Sequence, residues 1–160
     1  MVAADLPGAA DADAPPVLVS LSATALDAGD AIGFVSNARA GGVAVFLGTT
    51  RAERRADGAE LQALDYEAYA EMARGQLLSL AERARERWPV LRLALLHRTG
   101  RVALGEPSVV VAVCTPHRAE AFEACRWLID TLKAEVAIWK KEVWADGSGS
   151  WVPGRPASPG

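Results

Sequence analysis

The sequence predicts an α+β domain with a mainly antiparallel sheet. Two long stretches carry apolar residues at helical spacing, and between them the chain passes through pairs of strand-like segments rather than single ones. A chain of 160 residues fits one compact domain with short appendages and is long enough to bury a real core.

Each element follows from local pattern. Residues Met1 to Pro16 are rich in Ala, Asp and Pro and lack the basic and apolar regions of a secretory signal, which predicts a disordered N-terminal tail. Val17 to Leu21 alternates as a strand, and a short helix is expected after Asp27, whose carboxylate can cap it, ending before Gly41-Gly42. Val43 to Leu47 is an apolar, β-branched strand that runs into Gly48-Thr49-Thr50-Arg51. The charged stretch Ala52 to Gly58 ends in Asp-Gly, a turn signal, and Leu61 to Tyr66 resumes as a strand; together these predict a hairpin with an exposed basic tip.

The first long helix is expected from Ala70 to Trp88, because Ala73, Leu77, Leu80, Ala81, Ala84 and Trp88 share one face, and Pro89 ends it. Val90 to His97 and Ser108 to Thr115 are the next strands, joined across Gly100 and Gly105-Glu106-Pro107. Thr115-Pro116 offers a cap hydroxyl and a first-turn proline to a second long helix with Ala121, Cys125, Leu128, Ile129 and Leu132 on its buried face, running to about Glu135. Ile138 to Trp144 is a short strand, Asp146 to Ser150 a turn, and Trp151-Val152 a last strand. The domain thus spans residues 17–152, and the Pro- and Gly-rich end from Pro153 to Gly160 is expected to be a flexible tail. No internal repeat is visible.

Composition narrows the function. A hydrophobic content of 51% with 23% charged residues, and no apolar run near the roughly 20 residues of a membrane span, predicts a soluble cytoplasmic protein. The net charge of -3 provides no global field for nucleic acid, so any anion must be held by a local cation cluster. Cys114 and Cys125, the two cysteines, show no CxxC spacing and no histidine partners, so they read as core thiols and no metal or other cofactor is predicted.

Three places combine charge with useful geometry. At Gly48-Thr49-Thr50-Arg51 a strand delivers a glycine, two hydroxyls and a guanidinium to one corner, which can present N–H groups to an oxyanion; a strand-end arginine is also common where it is merely solvated. At Thr115-Pro116-His117-Arg118 a helix starts with cations where acids are usual, which fits a phosphate site or, equally, surface pairing with acidic neighbours. Lys133 falls near a helix C-terminus, where the helix dipole alone would explain it. Lys140 follows a tryptophan in an apolar segment, where desolvation and cationic neighbours can make an amine a proton donor or nucleophile. Strand alternation sends Lys140 and Lys141 to opposite faces, so one of them can join Lys133.

Five segments, in content and order, resemble the molybdopterin synthase large-subunit family. They are Phe46-Leu47-Gly48-Thr49-Thr50-Arg51, Leu64-Asp65-Tyr66-Glu67-Ala68-Tyr69, His97-Arg98-Thr99-Gly100, Pro116 to Phe122, and Ile138-Trp139-Lys140-Lys141-Glu142 followed by Trp151-Val152. The similarity spans roughly Val17 to Arg155. It implies an α/β-hammerhead fold with a small β-subdomain, and a homodimer at the centre of a heterotetramer. The implied reaction converts cyclic pyranopterin monophosphate to molybdopterin, with sulfur arriving as the C-terminal thiocarboxylate of a small ubiquitin-like carrier subunit. By position, the family's substrate contacts fall on Thr49, Thr50, Arg51, His117, Arg118, Lys141, Glu142 and Arg155, and its catalytic lysines on Lys133 and Lys140. Two departures are Ala137, where proline is common, and Thr50, where valine is usual. The carrier's body is expected to pack near the Trp139 to Trp151 region.

Helix geometry adds a consequence. His117 and Lys133 are sixteen residues apart on one expected helix, hence about 24 Å, too far to hold one small phosphopterin. A shared site is therefore expected, with Arg51, Lys133 and Lys140 from one subunit and His117 and Arg118 from its two-fold mate. Two rivals are a phosphate-ligand binding dimer without chemistry and a protein that only docks ubiquitin-like carriers; Lys133 and Lys140 argue against the first.

Overall fold

The computed structural model describes residues 16–152. Its element order is β1 (Val17–Ser22), α1 (Ala28–Val35), β2 (Gly42–Thr49), β3 (Leu61–Ala68), α2 (Ala70–Arg87), β4 (Arg92–Arg98), β5 (Gly100–Ala103), β6 (Pro107–Thr115), α3 (Arg118–Glu135), β7 (Ile138–Trp144) and β8 (Gly149–Trp151). This is a mixed α+β fold with antiparallel-rich sheets. Among the described residues no helix is long and apolar enough to cross a membrane.

The strands form two sheets of four rather than one. The first has the order β1-β4-β6-β2, parallel between β1 and β4 and otherwise antiparallel. The second, β5-β3-β7-β8, is antiparallel throughout. Helices cover both faces of the first sheet: α2 and α3 pack on the larger core with Leu77, Leu95, Val111 and Leu128, while α1 packs on the other with Ala31, Val35, Leu96 and Val110. Covering on both sides explains why β4 and β6 are buried almost continuously instead of alternating. Leu77 and Leu128 are fully enclosed, so truncating either to alanine would cost about 2–5 kcal/mol.

The expected helical faces of α2 and α3 are the buried ones, and Cys114 and Cys125 are buried free thiols. Trp88 is half-buried against this core, its indole donating to Glu123 at 3.1 Å. Asp27 caps α1 by accepting from the Gly29 N–H at 2.7 Å, though this helix stops at Val35, well before Gly41.

The expected hairpin between Val43–Leu47 and Leu61–Tyr66 does not form. β2 pairs with β6 and β3 with β5 and β7, so the two strands belong to different sheets. The Asp-Gly turn itself is present: Gly58 has φ 88°, a conformation that favours glycine, and the Arg55 N–H donates to the Ala59 carbonyl at 2.9 Å. The turn signal was local and sound, whereas strand partnership depends on distant residues. Thr115 likewise does not cap α3. Its hydroxyl donates to the His117 carbonyl at 2.5 Å, His117 is the N-cap without a side-chain bond, and Pro116 precedes the helix.

Candidate active site

A cleft of about 730 Å³ opens where the two sheets meet at the C-terminal end of α3. Each sheet supplies a wall. From the first come the end of β2, with Gly48 and Thr49, and the ends of β4 and β6, with His97 and Ser108; from the second come Tyr66, Lys140 and Glu142. Lys133 enters from the last turn of α3, and Arg51 from the segment after β2. Glycine is required at 48 by close approach, since a Cβ there would sit 2.6 Å from the Val109 side chain. A register shift between Gly48 and Thr49 then turns the strand end toward the cleft.

Pairing decides which lysine of β7 faces inward. Lys140 lies opposite Tyr66 and Glu142 opposite Leu64, so these four share the cleft face. Lys141 lies opposite Asp65 on the reverse face, where its ammonium stands 6.0 Å from the Trp151 ring centre. Asp65 is gripped there by Arg101 through bonds of 2.8 and 2.9 Å, which hold its carboxyl below the usual range. Among the described residues, neither Lys133 nor Lys140 forms an ion pair. Arg51 meets Glu53 at 2.9 Å, but that pair is well exposed and holds the arginine weakly.

The remaining expected positions lie elsewhere. Thr50 is buried off the cleft; its N–H donates to the Glu106 carbonyl, and its hydroxyl has no partner. His117 and Arg118 are exposed at the opposite end of α3, beside the start of β2, where a Cβ on Gly42 would be 2.8 Å from the Arg118 Cα. Glu120 is an acid in the same first turn, which offsets part of the cationic cost. Arg155, residues 1–15 and residues 153–160 lie outside the described residues, whereas Pro16, expected in the N-terminal tail, accepts from the Leu93 N–H at 2.9 Å. Among the described residues no group of His, Cys, Asp and Glu could hold a metal ion.

Three cleft residues were given no site role from the sequence, although Tyr66 and His97 lie in two of the family-like segments. His97 is 5% exposed, and burial, which outweighs the Arg98 carbonyl, combines with the Lys133 charge to push its pKa down to about 4. Tyr66 meets the His97 ring edge-on at 5.2 Å, and burial raises its hydroxyl pKa despite Ser108. Ser108 donates to the Gly48 carbonyl at 3.2 Å, tying β6 to the strand end. A lone histidine in the apolar run Leu93 to His97 was the available signal.

Residues 21–135 match the family model described as MoaE protein. The chain is 45% identical over 122 residues to the molybdopterin synthase catalytic subunit of Thermoplasma volcanium, covering 76% of this chain and 88% of that one. It is 38% identical over 137 residues to the rat protein of the same name, covering 86% and 68%. Among solved structures, molybdopterin synthase from Staphylococcus aureus superposes with a TM-score of 0.76 at 29% identity, covering 87% of this chain and 96% of that one. A complex of subunits 1 and 2 of molybdopterin-converting factor from Helicobacter pylori shares the fold, with a TM-score of 0.66 at 20% identity over 89% and 93% of the two chains. The chain belongs to the MoaE protein family of molybdopterin synthase catalytic subunits, sulfur-transferring enzymes of molybdenum cofactor biosynthesis that form a dithiolene.

Proposed function

We propose that the cleft is the sulfur-transfer site, that it takes cyclic pyranopterin monophosphate and the C-terminal thiocarboxylate of a small ubiquitin-like carrier, and that two copies of this chain complete it. The gathering of Arg51, Lys133 and Lys140 in one cleft carries this reading. Both reactants are anions that repel each other, and cations gathered in the cleft offset that repulsion as sulfur attacks the pterin side chain. Lys133 and Lys140 orient the thiocarboxylate and move protons; Thr49, Arg51 and Glu142 bind substrate from the same chain. Transient attachment of the carrier's end to a lysine is a variant of the same scheme.

His117 and Arg118 belong to the other copy's site. α3 and β2 both span the gap between these residues and the cleft: sixteen residues of helix and seven strand steps each give about 24 Å. β2 is an edge strand whose outward face bears Val43, Val45 and Leu47, exposed by 49%, 38% and 43%. A long apolar edge of this kind favours association. Two copies meeting antiparallel along β2 about a two-fold axis would set one chain's His117 and Arg118 beside the other's Thr49 and Arg51. In this reading Thr50 supports the corner, Lys141 stays outside the reaction, and Arg155 adds a cation from the C-terminal tail.

The homodimer then sits at the centre of a heterotetramer with two carriers, whose bodies pack near Trp139 and Trp151, within a cytoplasmic enzyme of α/β-hammerhead type. The second sheet serves as the small β-subdomain and residues 17–152 as the domain, flanked by tails at 1–16 and 153–160. Incubating the chain with thiocarboxylated carrier and the pterin phosphate should yield dithiolene product by mass. Carrier binding without product would instead favour a docking protein.

A further inference from the structure

His97 ends an apolar strand in a position that burial alone does not explain. It pairs with Val109 of β6, follows Leu95 and Leu96, and forms part of the cleft wall. A polar ring in such surroundings must be hydrogen-bonded to be tolerated. Its Nδ1 lies 2.8 Å from the Arg98 carbonyl, and because a carbonyl accepts, Nδ1 holds the ring proton and Nε2 is left as an acceptor. Among the described residues Nε2 has no hydrogen-bond partner, and it is not one of the sealed, unsatisfied atoms. Tyr66 fixes the ring plane from one side at 70°.

Of the neighbouring cations, Lys133 both shares the cleft with the ring and bears on it electrostatically. Arg98 is not part of the cleft lining; its guanidinium donates to the Arg101 carbonyl at 2.7 Å and lies 3.6 Å from Glu106, while its buried Nε has no partner. Lys133 lines the same cleft, acts electrostatically on the ring, and has no carboxylate partner among the described residues.

We propose that His97 is a positioning residue for Lys133: its neutral ring accepts a hydrogen bond from the Lys133 ammonium through Nε2 and holds that charge toward the cleft interior. This rests on the role given to Lys133 above. With a pKa near 4, the ring carries a proton in only about one molecule in a thousand at pH 7. It is therefore a poor proton store, but the acceptor role needs only the lone pair.

The test compares His97→Gln, whose amide oxygen falls near the place of Nε2, with His97→Leu, which has no acceptor. The first readout is acylation of Lys133 by acetic anhydride at pH 8, relative to Lys141 and read by mass spectrometry. A lysine held as a hydrogen-bonded ammonium reacts slowly, so His97→Leu should raise the ratio about threefold and His97→Gln should stay near wild type. The second readout is kcat for sulfur transfer, which should fall about tenfold in His97→Leu with KM little changed, and recover mostly in His97→Gln. Equal Lys133 labelling in all three proteins, or a glutamine variant no better than leucine, would overturn the proposal. If His97→Leu does not fold, His97→Asn replaces it, since the shorter amide cannot reach Lys133 and should behave as leucine would. Labelling does not depend on turnover, so an active Lys133→Ala enzyme would sink the role of Lys133 without deciding this contact.

Discussion

The two ends of α3 carry cations in opposite circumstances. At the C-terminal end Lys133 sits where the helix dipole favours it and lines a cleft shared with Arg51 and Lys140. At the N-terminal end Arg118 opposes the dipole, and neither it nor His117 lines the cleft. The first gathers its cations from a single chain. The second suits the approach of an anion or another molecule, and with the helix-length separation from the cleft it is why the site is read as shared.

Substitutions at the two ends should separate accordingly. Lys140→Ala and Lys133→Ala should each lower kcat for sulfur transfer by about a hundredfold or more, because fixed cations act most strongly where charge develops. Normal turnover by either variant would remove the cleft from the chemistry. Arg118→Ala at the distal end should raise KM for the pterin phosphate about tenfold with kcat less affected, as expected for loss of a phosphate contact. A pure kcat effect there would dissolve the distinction. Lys141→Ala, on the reverse face of β7, should change activity by less than about threefold in the same steady-state assay.

A last contrast concerns stability. The folded-state pKa of His97 is depressed to about 4 from an ordinary value of 6.5. Its contribution is therefore fully present above pH 6.5, declines as the unfolded chain takes up the proton, and is lost by pH 4. Denaturant titrations should show up to about 3 kcal/mol of this decline in wild type. His97→Gln should flatten that part of the pH curve.

Much of this molecule was legible from pattern. The helical faces through Leu77 and Leu128, the Asp27 cap and the opposite facing of Lys140 and Lys141 all follow from local periodicity. What was not legible depends on long-range partnership. Nothing local distinguishes a β2 that pairs with β3 from one that pairs with β6, and the four-residue β5 carries a single buried side chain, Val102. Within the cleft, Thr49, Arg51, Lys133, Lys140 and Glu142 were singled out in the sequence, whereas Ser108 carries no local signal and His97 and Tyr66, though in family-like segments, gain a site role only from their convergence. Thr50 shows the reverse, being adjacent in sequence to cleft residues yet buried off the cleft.

Mixing is the most direct trial of the shared site. Subunits bearing Lys133→Ala and subunits bearing His117→Ala, each weakened alone at pterin phosphate below the wild-type KM, should be denatured together, refolded at equal amounts and assayed with carrier at that same substrate level. Half the dimers would then be mixed, each with one undamaged site, so about a quarter of wild-type sites should return. Mixed dimers that form but recover no activity would contradict a site built from two chains.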